Sequence, residues 1–157
     1  MIQRKQTLYL FFAGLIPLVL LFISLGHVST EVSYYEYSAF AVREATPDQT
    51  FILSTVGNAL LLITTSVLSF ITIFLYKNRK MQLNLISLNM LIILLAIFSV
   101  MYIYPKFIFE RNINLNGATV EYNYTILIIF ISAIGYYLAK KAIAKDEALI
   151  RSADRLR

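Results

Sequence analysis

The chain has 157 residues, of which 59% are hydrophobic and only 15% charged, with a mean hydropathy of +0.69. That balance excludes an ordinary soluble domain, and the length allows about four membrane spans and little else. The formal net charge of +5 would suggest nucleic acid in a soluble protein, but membrane topology is a sufficient cause here. The absence of Cys removes disulfides, thiolate metal sites, a cysteine nucleophile and a lipidated N-terminal Cys together.

Arg4 and Lys5 precede an apolar run from Thr7 to Leu25. The arrangement resembles a signal peptide, with Ser24 and Gly26 as small residues near its end. The run nevertheless exceeds the ~7–15-residue apolar core of a signal peptide, so a first transmembrane helix is expected at 7–26. Gly14 and Pro17 lie within it, and Pro17 is read as a packing kink rather than a hinge.

From Gly26 to Thr50 the composition turns acidic, with Glu31, Glu36, Glu44 and Asp48 against Arg43 alone. This suits an outer loop over 27–50. Val32 to Val42 is rich in β-branched and aromatic residues and is expected to be extended. Thr46-Pro47-Asp48 breaks the chain, and Thr46 or Asp48 is placed to cap the second helix.

Phe51 to Tyr76 and Met81 to Tyr104 carry no charged residue, and each exceeds the roughly 20 residues that cross a bilayer. Spans are expected at 51–76 and 82–104, as a hairpin around the basic turn Lys77-Asn78-Arg79-Lys80. In the second span Asn58, Thr65, Ser69 and Thr72 share one face, which suits interhelical packing better than a pore lining. In the third, Asn84 and Ser87 share a face while Asn89 lies elsewhere. Asn58, Asn84 and Asn89 are the candidate intramembrane hydrogen-bonding residues.

The outer loop 105–121 contains Asn116-Gly117 between alternating residues, a β-hairpin signal. A small extracytoplasmic cap is expected, with Val32 to Val42 as a third strand. A last span at 122–139 carries Ser132 and Gly135 as close-approach positions. Lys140 and Lys141 end it, and the tail 140–157 reads as a cytoplasmic amphipathic helix, with Glu147 and Arg151 as an i,i+4 pair. Such a tail suits anionic headgroups, a cytoplasmic partner or simple solvation.

Of the fourteen Lys and Arg, only Arg43, Lys106 and Arg111 fall on the outer side; the other eleven fall on one side, with both termini. The expected architecture is therefore an all-α membrane protein, a four-transmembrane-helix bundle with both termini cytoplasmic and a β-hairpin cap, forming a single domain over 1–157. Tyr9 and Tyr76 suit the inner boundary, and Tyr102, Tyr104, Tyr122 and Tyr124 the outer one. Motifs for chemistry are lacking. His27, the one histidine, reads as structural, and the outer-loop carboxylates Glu31, Glu36, Glu44, Glu110 and Glu121 follow no ligand spacing. No catalytic residue, metal or cofactor is expected.

Met1 to Leu10, Leu75 to Leu83 followed by Leu88-Asn89-Met90-Leu91, and Lys145 to Arg157 together resemble a family of small four-helix inner-membrane proteins of the Bacteroidota, labelled a domain of unknown function. The resemblance spans both ends and the central turn. Outer loops vary in that family, so it lends the β cap no support, and it implies no catalytic or binding residue. It does imply a multi-pass protein of the bacterial inner membrane.

The expected function is a non-enzymatic accessory subunit or scaffold of a larger membrane complex. The candidate partner-docking residues are Arg4, Lys77, Asn78, Arg79, Lys80, Asp146, Glu147, Arg151, Asp154, Arg155 and Arg157. A small homo-oligomeric transporter or channel is the competing class, although its pathway would normally carry an intramembrane ionisable residue. A lipid-binding protein is the third. Expected partners are the lipid bilayer and a membrane protein or further copies of the chain, and no nucleic acid.

Overall fold

The computed structural model describes residues 5–30, 33–111 and 117–155. The first apolar run folds as α1 (Lys5–Leu20), with Pro17 in its last turn. Its sixteen residues extend about 24 Å, short of a hydrocarbon core about 30 Å thick. The helix ends before the expected span does because the chain is drawn into a sheet. Leu25 donates its backbone N–H to the Tyr37 carbonyl at 2.8 Å, and Gly26 opens β1 (Gly26–Ser29). No side chain fits at Gly26: a Cβ there would stand 2.5 Å from the Glu121 carbonyl oxygen.

β2 (Tyr34–Tyr37), β3 (Ala41–Glu44) and β4 (Phe51–Ser54) follow as an antiparallel meander, and β5 (Thr119–Tyr122) closes on the free edge of β1. The sheet order is β4-β3-β2-β1-β5. The stretch expected to be one strand is two, because Ser38 turns the chain: its N–H and hydroxyl both donate to the Ala41 carbonyl, at 3.0 and 2.7 Å. Thr46-Pro47-Asp48 forms the β3–β4 turn, with Gln49 at φ 44°. Neither Thr46 nor Asp48 caps α2 (Val56–Phe74). Strand β4 intervenes, and Thr55 takes the N-cap position while its hydroxyl donates to the Ser38 carbonyl.

α3 (Arg79–Phe98) runs on as a π-helix (Ser99–Phe109) containing Pro105, so the third apolar segment continues beyond the expected residue 104. Gly117 adopts φ +75°, as an Asn-Gly turn requires. The strand expected before that turn lies in residues 112–116, outside the described residues, and β5 finds its partner in β1 instead. α4 (Thr125–Arg155) is one helix of 31 residues. The last span and the tail are continuous because Lys140 to Ala148 are good helix formers with no Gly or Pro among them.

These observations correct the all-α four-transmembrane-helix bundle. Four helices combine with a five-stranded antiparallel sheet. Three helical segments are long and apolar enough to cross a membrane: Val56–Phe74, Arg79–Phe109 and Thr125–Leu149. The small cap expected from a hairpin and a third strand is instead a five-stranded sheet, whose strands are four residues each and pair mostly through contacts that no local pattern announces.

α1 packs on α2 and α4, and α3 packs on the same two helices. Small residues set the spacing. A Cβ on Gly14 would fall 2.6 Å from Ser69 Cβ, and one on Gly135 would fall 3.0 Å from Ala13 Cβ. Ser69 and Ser132 use that proximity to donate to the α1 carbonyls of Leu10 and Ala13, at 2.7 and 2.6 Å. Leu10, Leu62, Ile86, Ile93, Ile129 and Ile143 fill the interior, while Phe12, Leu60, Phe74, Leu94 and Ile134 face outward. An outer surface of large apolar side chains suits contact with lipid.

Gly14→Ala is expected to destabilise the fold by about 1–3 kcal/mol through overpacking, read as a lower unfolding midpoint in detergent. Ser69→Gly in the same chain removes the opposing Cβ and should recover part of the loss. An unchanged midpoint for Gly14→Ala would show that α1 and α2 are not held this close.

Candidate functional site

Most buried polar side chains occupy the space between the helices and below the sheet. Asn58, near the start of α2, donates through Nδ2 to Tyr37 Oη at 2.7 Å and accepts at Oδ1 from the Ser99 hydroxyl at 2.7 Å. One amide thus ties the sheet, α2 and the π-helix together. Tyr37 is fully buried, its ring edge-on to Phe109 at 5.3 Å. Burial pushes its phenol well above the ordinary tyrosine range, and the Asn58 hydrogen bond opposes that shift only in part. Burial raises Tyr122 in β5 as well.

Further along the helices, Asn89 donates to the Thr65 carbonyl at 3.1 Å, and Tyr136 reaches the same oxygen at 3.4 Å. Gln82 donates to the Thr72 carbonyl at 2.9 Å. Thr65, Ser66 and Thr72 return their hydroxyls to carbonyls four residues back. Asn89 Oδ1 is buried without a partner. The result is a set of amides whose donors are spent between helices and hydroxyls spent within their own helix, chemistry suited to fixing helices against one another. Asn84 is not part of it, being exposed on the opposite side of α3.

Gln82, Ser99, Tyr37 and Tyr136 were not among the candidate hydrogen-bonding residues read from the sequence. A signal existed for Gln82, which lies seven residues before Asn89 and therefore on the same helical face. Tyr37 and Ser99 meet Asn58 across long sequence separations, and nothing local marks them.

The basic turn joins α2 to α3. Asn78 accepts the Met81 N–H at 3.1 Å as the α3 N-cap, so its residue type has a local cause. Lys77 and Lys80 are exposed. Arg79 is half-buried and its Nη1 has no hydrogen-bond partner. Asp146 and Glu147 are half-buried on α4, and a cleft between α4 and the start of α1 is lined by Lys5, Gln6, Lys145, Asp146 and Leu149. Arg151, Asp154 and Arg155 continue the α4 helix, whereas Arg4 and Arg157 lie outside the described residues. The start of α1, the basic turn and the far part of α4 thus occupy the end of the helices remote from the sheet.

At the sheet end, the surface facing away from the π-helix carries a row of ionisable groups across the strands. His27 pairs in register with Glu36 on one side and Glu121 on the other, and Glu36 pairs with Arg43. The His27 ring lies 5.9 Å from Tyr34, and its Nδ1 is buried without a partner. Among the described residues no group of three or more His, Cys, Asp or Glu could hold a metal ion.

A family model described as Domain of unknown function (DUF4293) matches residues 2–156, nearly the whole chain. No curated protein matches it.

Asn58→Leu should strand the Tyr37 and Ser99 hydroxyls in an apolar setting and destabilise the protein by about 1–3 kcal/mol. A thermal midpoint equal to wild type in detergent would remove Asn58 from its tying role. Tyr37 and Tyr122 bear on alkaline stability. The folded state holds both phenolic protons more tightly than the unfolded chain, whose tyrosines titrate near 10.0. Their contribution is whole below that pH and is lost as pH rises above it. Tyr37→Phe should therefore flatten the fall in stability above about pH 10, measured by denaturant titration across pH.

Proposed function

We propose, on the premise that the chain belongs to the DUF4293 family, that it is a non-enzymatic integral membrane protein serving as an accessory subunit or scaffold of a larger membrane complex. It docks its partner through the end of the helices remote from the sheet. The observation that carries this reading is the continuity of α4 over 31 residues beside the start of α1. Some fifteen residues follow Lys140, extending about 22 Å at 1.5 Å per residue. A rigid, charged extension braced by a second helix is a surface built for another protein. A tail that merely solvates a helix end needs no such brace.

The basic groups support an orientation. Among the described residues nine Lys and Arg lie toward this end and three toward the sheet, so it faces the cytoplasm of a bacterial inner membrane. A transporter or channel is the second reading. Against it, the amide donors of Asn58, Gln82 and Asn89 are committed to a tyrosine hydroxyl and to helix carbonyls, whereas a conducting path needs polar groups turned toward a wet route. The same committed groups argue against catalysis.

The orientation is testable because the chain has no Cys. A cysteine placed at Lys77 should react with a membrane-impermeant maleimide only after the membrane is opened, and one at Thr119 should react in intact cells. The reverse pattern would invert the orientation. Purification in mild detergent should recover a stoichiometric membrane-protein partner, and Lys77→Glu with Lys80→Glu should reduce that recovery at unchanged protein level. A lone monodisperse species in both cases would end the subunit reading.

A further inference from the structure

Where α1 gives way to the sheet, the chain leaves a cleft whose two walls differ in chemistry. One wall is apolar: Leu21, Phe22 and Phe40 line it, and Phe22 is 83% exposed. The other wall is polar, with Ser24, Arg43 and Gln49. The apolar wall continues the outward face of α1, where Leu18 and Val19 are also exposed. The cleft also sits at the level where the helices meet the sheet, since Leu25 bonds to Tyr37 and Thr55 to Phe40 along the same rim.

Arg43 is weakly engaged, its guanidinium reaching Gln49 Oε1 at 3.5 Å. Glu36, also lining the cleft, is its register partner on β2. Adjacent residues of paired strands stand close enough to meet, and Lys106 and Glu110 show an ion pair formed at 3.0 Å elsewhere in the protein. Arg43 and Glu36 form none. The cleft thus presents a cation and an anion side by side, above an apolar wall that runs down the helix surface.

We propose that this cleft binds the headgroup of a zwitterionic, amine-bearing phospholipid of the surrounding bilayer. Arg43 takes the phosphodiester, Glu36 the ammonium, and the acyl chain lies along Phe22 and the outer face of α1. Arg suits the first role because its planar fork matches phosphate oxygens with charge-assisted hydrogen bonds. An anionic headgroup with no amine would leave Glu36 facing like charge. His27, the next residue in the row beyond Glu36, stands outside the set of lining residues. The proposal rests on insertion in a membrane and is independent of the docking reading.

The test is native mass spectrometry of the full-length, delipidated protein titrated with phosphatidylethanolamine, phosphatidylglycerol, diacylglycerol and inorganic phosphate in separate arms. Phosphatidylethanolamine is expected to bind best. Arg43→Gln should weaken it about tenfold, the scale of losing a charged hydrogen-bond partner, and Arg43→Lys should recover part of the loss. Glu36→Gln should erase the preference over phosphatidylglycerol. Equal retention by wild type and Arg43→Gln, equal binding of the two phospholipids to wild type, or displacement of lipid by inorganic phosphate at equal concentration would each overturn the assignment. Solubility without detergent would overturn it by removing the membrane, whatever the lipid data.

Discussion

The constraint on which the rest of the structure depends is the hydrogen bonding of the backbone where helices and sheet meet. A chain that passes between apolar helices and a small sheet exposes N–H and C=O groups at each passage, in a region where water is scarce and an unmet group costs several kcal/mol. Hydrogen bonds bridge three of these passages. Leu25 donates to Tyr37, Thr55 to Phe40, and Asn123 to Leu25 through their backbone N–H groups. The Thr125 hydroxyl reaches the Ser24 carbonyl at 2.9 Å, and Asn123 Nδ2 reaches the Ser24 hydroxyl at 3.1 Å. This layer lets β1 and β5, ninety residues apart, lie side by side, and it sets where α1 must stop.

Beneath that layer the polar core works by commitment rather than availability. Asn58 spends a donor and its acceptor on Tyr37 and Ser99, and Asn89 and Gln82 spend amide donors on α2 carbonyls. The Thr65 carbonyl lies inside α2 and the Thr72 carbonyl in its last turn, and bonds from side chains to such carbonyls lock helices together in an apolar medium. The charged side chains lie toward the two ends of the molecule: basic groups at one end, and a mixed row of His, Glu and Arg on the outer face of the sheet at the other.

Much of the helical part was legible in the sequence. The uncharged runs on either side of Lys77 to Lys80 correspond to α2 and to α3 with its π continuation, and the small residues Gly14, Ser69, Ser132 and Gly135 occur where helices touch. Helices are local objects with a period of 3.6 residues, so composition and spacing report them directly. The sheet was legible only in fragments. β2 and the start of β3 lay within a stretch recognisable as extended, but the turn at Ser38 was not marked, and β4 was absorbed into the second apolar run because Phe51 to Ser54 carries no charge, like the helix that follows. Asn116-Gly117 announced a turn but not that β5 would pair with β1.

For the candidate sites the division is the same. The sequence by itself determined the apolar helices, the clustering of Lys and Arg, and the small-residue contacts, because each depends on residues within a few turns of one another. Only the tertiary structure decided that α1 is short, that α4 is unbroken to Arg155, that Tyr37 closes on Asn58, and that Arg43 stands beside Glu36 above Phe22. These depend on strand register and on chain segments tens of residues apart, where one residue of slip would turn every side chain to the opposite face of the sheet.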